Sequence, residues 1–253
     1  MTLTLPWAGL EATLLAGVRI AAFLVIAPPF SHRGIPGTVK ALLALAIGLI
    51  VAPRASASSD PTDVAGFAGQ LLLQVLIGAA LGFLVAMALS VVQAAGGLID
   101  MFGGFQMNAA YDPMMLTNSA TFARLYQFTA LVLLFASDGY QVVLIGIVRT
   151  FDVLPLGMPL DLAAMAATSA AGLTEMFLAA LQVAGPLVVV LFLADVGLGL
   201  LTRVAPALNA FALGFPLKIL MTLLLAGTAF LALPQLVSTL VDGAMTSVLE
   251  VAR

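Results

Sequence analysis

The chain has 253 residues, 62% of them hydrophobic and only 8% charged, with a formal net charge of −3. Soluble domains carry about 25% charged residues, and a chain of this size still exposes about a quarter of its surface after folding, so the composition excludes a free soluble globule and requires lipid or a large protein partner. There is no basic run to bind nucleic acid or an anionic lipid surface, and no cysteine for disulfides or thiolate metal sites.

A membrane-crossing helix needs about 20 apolar residues. The first such segment runs from about Trp7 to Ala27 and ends at Pro28-Pro29. It is expected to be retained, because no positive region precedes its apolar core and the first basic residue is Arg19. After the loop Phe30–Gly37, a short segment from Val39 to Ala52 is closed by Pro53. The polar stretch Arg54–Asp63 offers Asp60 or Thr62 as a cap for the next helix. No charge occurs from Val64 through Ile99, a run longer than one straight crossing, so this helix is tilted, broken or extended past the hydrocarbon. Gly78 and Gly82 inside it have the spacing that lets two helix backbones approach.

Residues 96–121 break the apolar pattern with glycine pairs, Asp100, Gln106, Asn108, Asp112-Pro113, Asn118 and Ser119. Phe122–Ala136 and Gln141–Asp152 form a predicted hairpin that turns at Asp138-Gly139. Beyond the linker Leu154–Ala163, a segment from Ala166 to Leu193 carries Glu175, with Pro186 as a kink. A second irregular stretch, Asp195–Lys218, precedes a segment from Leu217 to Leu233 that stops at Pro234. The tail Gln235–Arg253 is amphipathic, with Leu236, Leu240, Met245, Val248 and Leu249 apolar. Basic residues are scattered over several loops, so the positive-inside bias is weak.

Arg19 is the clearest charge inside an apolar segment, at a cost of about 2.5–3.5 kcal/mol on insertion scales. It reads as a polar path or buried pair on one side, and as snorkelling or a register-fixing ion pair on the other. Arg124, Arg149, Glu175 and Asp195 lie nearer segment ends, and Arg149 is spaced to pair with Asp152. Arg19, Glu175 and broken helices also fit a small secondary transporter. An enzyme is not expected. The single histidine, His32, has no metal-ligand partners, no nucleophile turn or phosphate loop occurs, and the one imaginable catalytic pair is Asp100 with Asp112. Met101, Met107, Met114 and Met115 are flexible enough to fill irregular gaps or to form a deformable seal. Irregular backbone at membrane depth is tolerated only when buried in protein or lining a cavity, which makes residues 100–121 the first candidate site.

Three stretches, in order, carry a resemblance. They are Pro28–Leu49 with its Pro-x-Phe and Lys40, Gly103–Phe135 with Gln106-Met107, Ala110 and Asp112-Pro113 followed by Ser137–Leu144, and Ala205–Ile219. Together they resemble the FliR family of flagellar export-gate subunits and its type III secretion counterparts, over nearly the whole chain. Ala207 departs from the family's usual Gln, and Gly214-Phe215-Pro216 is similar to the flagellar rather than the injectisome form. The resemblance implies an all-α integral membrane protein of packed apolar helical hairpins, with broken helices and a plug loop. It implies one domain over 1–253, about 1–165 similar to a P subunit and about 166–253 to a Q subunit.

The implied function is non-enzymatic: part of the channel that passes unfolded flagellar proteins across the bacterial inner membrane at the flagellar basal body, with the injectisome gate as the alternative. Implied partners are the P-like and Q-like gate subunits, the B and A export proteins, the unfolded substrates and membrane lipid, with no cofactor, metal or nucleic acid. The implied plug and gate residues are Phe105, Gln106, Met107, Asn108, Tyr111, Asp112, Pro113, Met114 and Met115; the plug loop itself maps onto about Gln106–Thr121, and Phe105 is the expected contributor to a hydrophobic ring. Pro206, Asn209, Phe211, Gly214, Pro216 and Lys218 are the implied packing residues of the last motif. The chain is expected to be unstable alone, because polar irregular segments need partners.

Overall fold

A computed structural model describes residues 7–55, 64–105, 120–159, 161–205 and 210–251. Every regular element among them is an α-helix. In chain order these are α1 (Trp7–Ile26), α2 (Gly37–Ala55), α3 (Val64–Phe102), α4 (Thr121–Ala136), α5 (Gly139–Val153), α6 (Leu162–Val204), α7 (Ala210–Phe230) and α8 (Leu233–Val251). The described residues are therefore all-α, as expected. By length and apolar composition α1, α2, α3 and α6 can each cross a membrane, and the pairs α4–α5 and α7–α8 each qualify as one broken span.

Local chemistry explains most boundaries. α1 stops where Pro28 and Pro29 remove two donors, just after the Ala27 N–H reaches the Phe23 carbonyl at 2.8 Å. α2 starts with the Val39 and Lys40 N–H groups on the Pro36 carbonyl. It runs through Pro53 to Ala55, past the expected stop, because a proline in the last turn leaves only one carbonyl, that of Leu49, without its helical donor. Asp60 and Thr62, the expected caps of α3, lie outside the described residues. α5 begins after Asp138, in the left-handed conformation (φ 56°) at the expected turn. Asp161 caps α6, its Oδ1 accepting the Ala163 and Ala164 N–H groups at 2.9 and 3.0 Å.

The helices are longer than the sequence pattern suggests. α3 is one unbroken helix of 39 residues, about 58 Å at 1.5 Å per residue, against a hydrocarbon thickness of about 30 Å. α6 has 43 residues with Pro186 inside it. Residues 96–102, 195–204 and 210–218, expected to be irregular, are helical. Glycine and isolated polar residues weaken a helix by only about 1 kcal/mol each, which packing overrides, whereas α6 does end at Val204, just before Ala205-Pro206. Pro216 lies inside α7. Pro234 does not close the preceding helix. It sits in the first turn of α8, where its missing N–H costs nothing. The amphipathic tail is α8, and its buried stripe is Val237, Val241, Ala244, Met245, Val248 and Val251.

The chain divides into two compact units. The first holds residues 1–88, 134–173 and 239–253, and the second residues 89–133 and 174–238. In the first unit α1 is the central helix, with Leu15, Ala16, Ile20, Phe23 and Leu24 fully buried. A Cβ on Gly48 of α2 would come within 2.9 Å of the Gly17 nitrogen, and one on Gly82 of α3 within 3.0 Å of the Phe23 carbonyl. One on Gly78 would strike the Arg19 carbonyl. Both glycines of the 78/82 pair therefore seat α3 on α1. In the second unit α6 and α7 keep large apolar side chains uncovered, among them Phe177, Phe192, Leu193, Leu220 and Leu224. Such continuous apolar surface is normal only against lipid or a protein partner.

Candidate functional site

The stretch first singled out by its irregularity, 100–121, is framed in the second unit by the end of α3 and the start of α4. α3 closes with the Gly103 N–H on the Ile99 carbonyl (2.8 Å) and the Phe105 N–H on the Asp100 carbonyl (3.1 Å). Gly104 takes a positive φ of 83° that favours glycine. The Asp100 side chain, fully buried, then reaches across to α4. Its Oδ1 accepts the Phe122 N–H and its Oδ2 the Ala123 N–H, each at 2.9 Å. These are two of the four donors that the first turn of any helix leaves unpaired, and the carboxylate charge suits the positive end of the helix dipole. One residue thus terminates α3 through its carbonyl and caps α4 through its side chain. Gly96 completes the neck, since a Cβ there would come 2.7 Å from the Ala123 Cα.

Aromatic rings extend this neck. Phe105 meets Phe122 edge-on with centroids 5.0 Å apart, Phe122 lies 6.4 Å from Tyr126, and Tyr126 stacks on Phe230 of α7 at 5.2 Å. Phe215 of α7 lies beside Gly104, and Thr222 lies beside Gly103. Thr222 donates to the Lys218 carbonyl (2.8 Å), and Lys218 Nζ pairs with Asp195 Oδ2 of α6 at 2.6 Å.

The predicted site residues are distributed as follows. Phe105 belongs to the neck and packs on Phe122. Gly214 is buried against Leu198, and Phe211, Pro216 and Lys218 lie in α7. Gln106, Met107, Asn108, Tyr111, Asp112, Pro113, Met114, Met115, Pro206 and Asn209 lie outside the described residues. Asp112, the other half of the imagined catalytic pair, is among these, and each Asp100 carboxylate oxygen accepts a backbone N–H. The sequence does not reveal the capping role of Asp100, because with a start at Phe122 the adjacent Thr121 would itself serve as the cap. The sequence likewise does not mark Asp195 as the partner of Lys218.

Arg19, in the first unit, does not snorkel and pairs with no carboxylate among the described residues. It is fully buried. Nε donates to Gln74 Oε1 at 2.7 Å, Nη1 to the Leu154 carbonyl at 2.8 Å, and the guanidinium carbon sits 4.2 Å from the centre of the Phe151 ring. The compensating negative charge is therefore the carbonyl end of α5 and a ring face. Glu175, Arg124 and Arg149 are exposed, and Arg149 forms no ion pair with Asp152. No group of three or more His, Asp or Glu side chains converges among the described residues.

The sequence profile of "Bacterial export proteins, family 1" matches residues 10–244. The chain belongs to this family. Among its relatives, this family 1 export protein is 35% identical to the flagellar biosynthetic protein FliR of Escherichia coli (strain K12) over 203 residues, 80% of this chain and 77% of that one. It is 30% identical to FliR of Bacillus subtilis (strain 168) over 214 residues, 82% of each chain. It is 25% identical to the surface presentation of antigens protein SpaR of Shigella sonnei over 198 residues, 77% of this chain and 76% of that one. The matched range of the family 1 export protein takes in Arg19 and both sides of the Asp100 neck.

Proposed function

We propose that the chain is a subunit of the flagellar type III protein export gate in the bacterial inner membrane, forming part of the channel for unfolded flagellar proteins. The observation that carries this reading is the family match along residues 10–244 together with 30–35% identity to flagellar FliR proteins. The uncovered apolar faces of α6 and α7 fit a chain that is completed by neighbours and lipid. Those neighbours are P-like and Q-like gate subunits and the B and A export proteins, with about 1–165 the P-like part and about 166–253 the Q-like part.

In this reading residues Gln106–Thr121 are the plug, and the Asp100 neck fixes where it leaves and rejoins the helices. Met107, Met114 and Met115 supply a seal that yields to a passing polypeptide and closes again, because unbranched thioethers repack at low cost. Energy for transport comes from other components, and no catalytic step is assigned to this chain. Arg19, one of the residues behind the transporter reading, is enclosed by protein rather than open to a path.

The test is rescue of motility in a bacterium lacking its own FliR, with native mass spectrometry of the extracted protein. Motile cells and a large mixed complex support the gate. A stable lone monomer without rescue overturns it, and rescue of injectisome secretion alone moves the assignment to that apparatus. Removal of Asn108–Leu116 from an assembled complex should raise its ion conductance, and unchanged conductance would rule out the plug assignment.

A further inference from the structure

Arg19 leaves part of its guanidinium unused. Nε and Nη1 are bonded to Gln74 Oε1 and the Leu154 carbonyl, but Nη2 is buried with no hydrogen-bond partner among the described residues. Gln74 Nε2 and Gln70 Oε1 are in the same condition. The Nε and Nη2 N–H groups share one edge of the planar guanidinium, an edge that matches the two oxygens of a carboxylate. Gln74 meets this edge with an amide. Its oxygen serves Nε, and its NH2 group has no lone pair to offer Nη2. Gln70 lies one turn before Gln74 on the same face of α3. It borders the α5–α6 connection, since a Cβ on Gly157 would come 3.4 Å from Gln70 Nε2. Two donors and one acceptor, each a buried atom, are thus left over on three neighbouring side chains of the first unit.

We propose that these side chains enclose an ordered water molecule, which accepts from Arg19 Nη2 and Gln74 Nε2 and donates to Gln70 Oε1. Water has the two lone pairs and the proton that this set demands, and buried waters typically make about three hydrogen bonds to otherwise unpaired groups. A halide would accept both N–H groups but has nothing to donate to Gln70. It would also sit beside the Leu154 carbonyl at the negative end of α5 and beside the face of Phe151, two features already spent on the guanidinium charge. The water also accounts for neutral amides at both 70 and 74, where a glutamate at 74 would have satisfied the whole edge.

The experiment is X-ray-pulse hydroxyl-radical labelling of the full chain, purified in detergent with the proteins it is extracted with. Radicals generated from an enclosed water react in place, so a buried neighbour is modified out of proportion to its exposure. Phe151 and Phe122 are the same residue type at the same 4% exposure, and only Phe151 lies against the proposed water. The expected result is several-fold faster labelling of Phe151 than of Phe122, abolished in the Gln70→Leu, Gln74→Leu double variant. Should that variant fail to fold, the comparison within the unaltered chain decides by itself. Equal labelling of the two rings overturns the proposal. So does a bromide density peak at Nη2 after exchange of chloride for bromide, which would make the enclosed species an anion.

Discussion

Asp100→Ala is the most informative single substitution. Asp100 is fully buried and accepts two backbone N–H groups at 2.9 Å from a helix that starts 21 positions later in the chain. Loss of an ordinary helix cap costs about 0.5–2 kcal/mol, and each buried group left unpaired costs about 1–3 kcal/mol. Phe122 and Ala123 are themselves buried, so water does not readily replace the carboxylate. Removing a buried charge returns some desolvation energy, which leaves a net loss of about 2–4 kcal/mol. Asp100→Asn keeps one acceptor and should lose about half as much. The assay is hydrogen exchange of the α4 N-terminal peptide, followed by mass spectrometry, in the purified complex. At about 1.4 kcal/mol per tenfold, protection of the Phe122 and Ala123 amides should fall by roughly 30-fold to 1,000-fold in the Ala variant. Unchanged exchange at these amides, or an Asn variant as damaged as the Ala variant, would refute the capping argument.

Three further outcomes follow from the geometry. Gly78→Val should abolish the yield of folded protein, because its Cβ would meet backbone at Arg19, whereas Gly97→Ala, with nothing within 4 Å, should stabilise by up to about 1 kcal/mol; extraction yield and detergent melting measure both. Lys218→Met should cost only about 0.2–1 kcal/mol, since the Asp195 side chain is 46% exposed, and adding Asp195→Leu should recover it in a double-mutant cycle of unfolding. Arg19→Lys should lose about 1.5–3 kcal/mol despite keeping the charge, because an ammonium cannot hold Gln74 and Leu154 in one plane over Phe151. A melting temperature equal to that of the unaltered protein would contradict this account.

The neck of the candidate site was only half legible. Phe105 stands out in the sequence beside an irregular stretch, and its ring partner Phe122 is known only from the structure. Asp100 stands out as a charge in that stretch, and its role depends on α3 continuing to Phe102. Lys218 was recognised as part of a motif while Asp195, its partner, stood apart as a residue near a segment end. In each case the sequence offered one member of a pair, because polar residues in an apolar chain are conspicuous but their partners are set by packing.

Helical hydrogen bonds span only four residues, so the apolar runs and prolines were enough by themselves to determine an all-α membrane chain, the stop of α1 and the turn at Asp138. The ordered motifs likewise pointed to the family. Side-chain partnerships follow no such local rule. The bonds of Arg19 cross 55 and 135 positions, and those of Asp100 cross 22 and 23. Only the tertiary structure decided that the arginine sits against a helix end and a ring, that the aspartate caps a distant helix, and that the continuous helices α3 and α6 run through glycine and polar residues. The physical reason is that each depends on which surfaces are pressed together, and in a chain this uniformly apolar many pairings satisfy the hydrophobic pattern equally well.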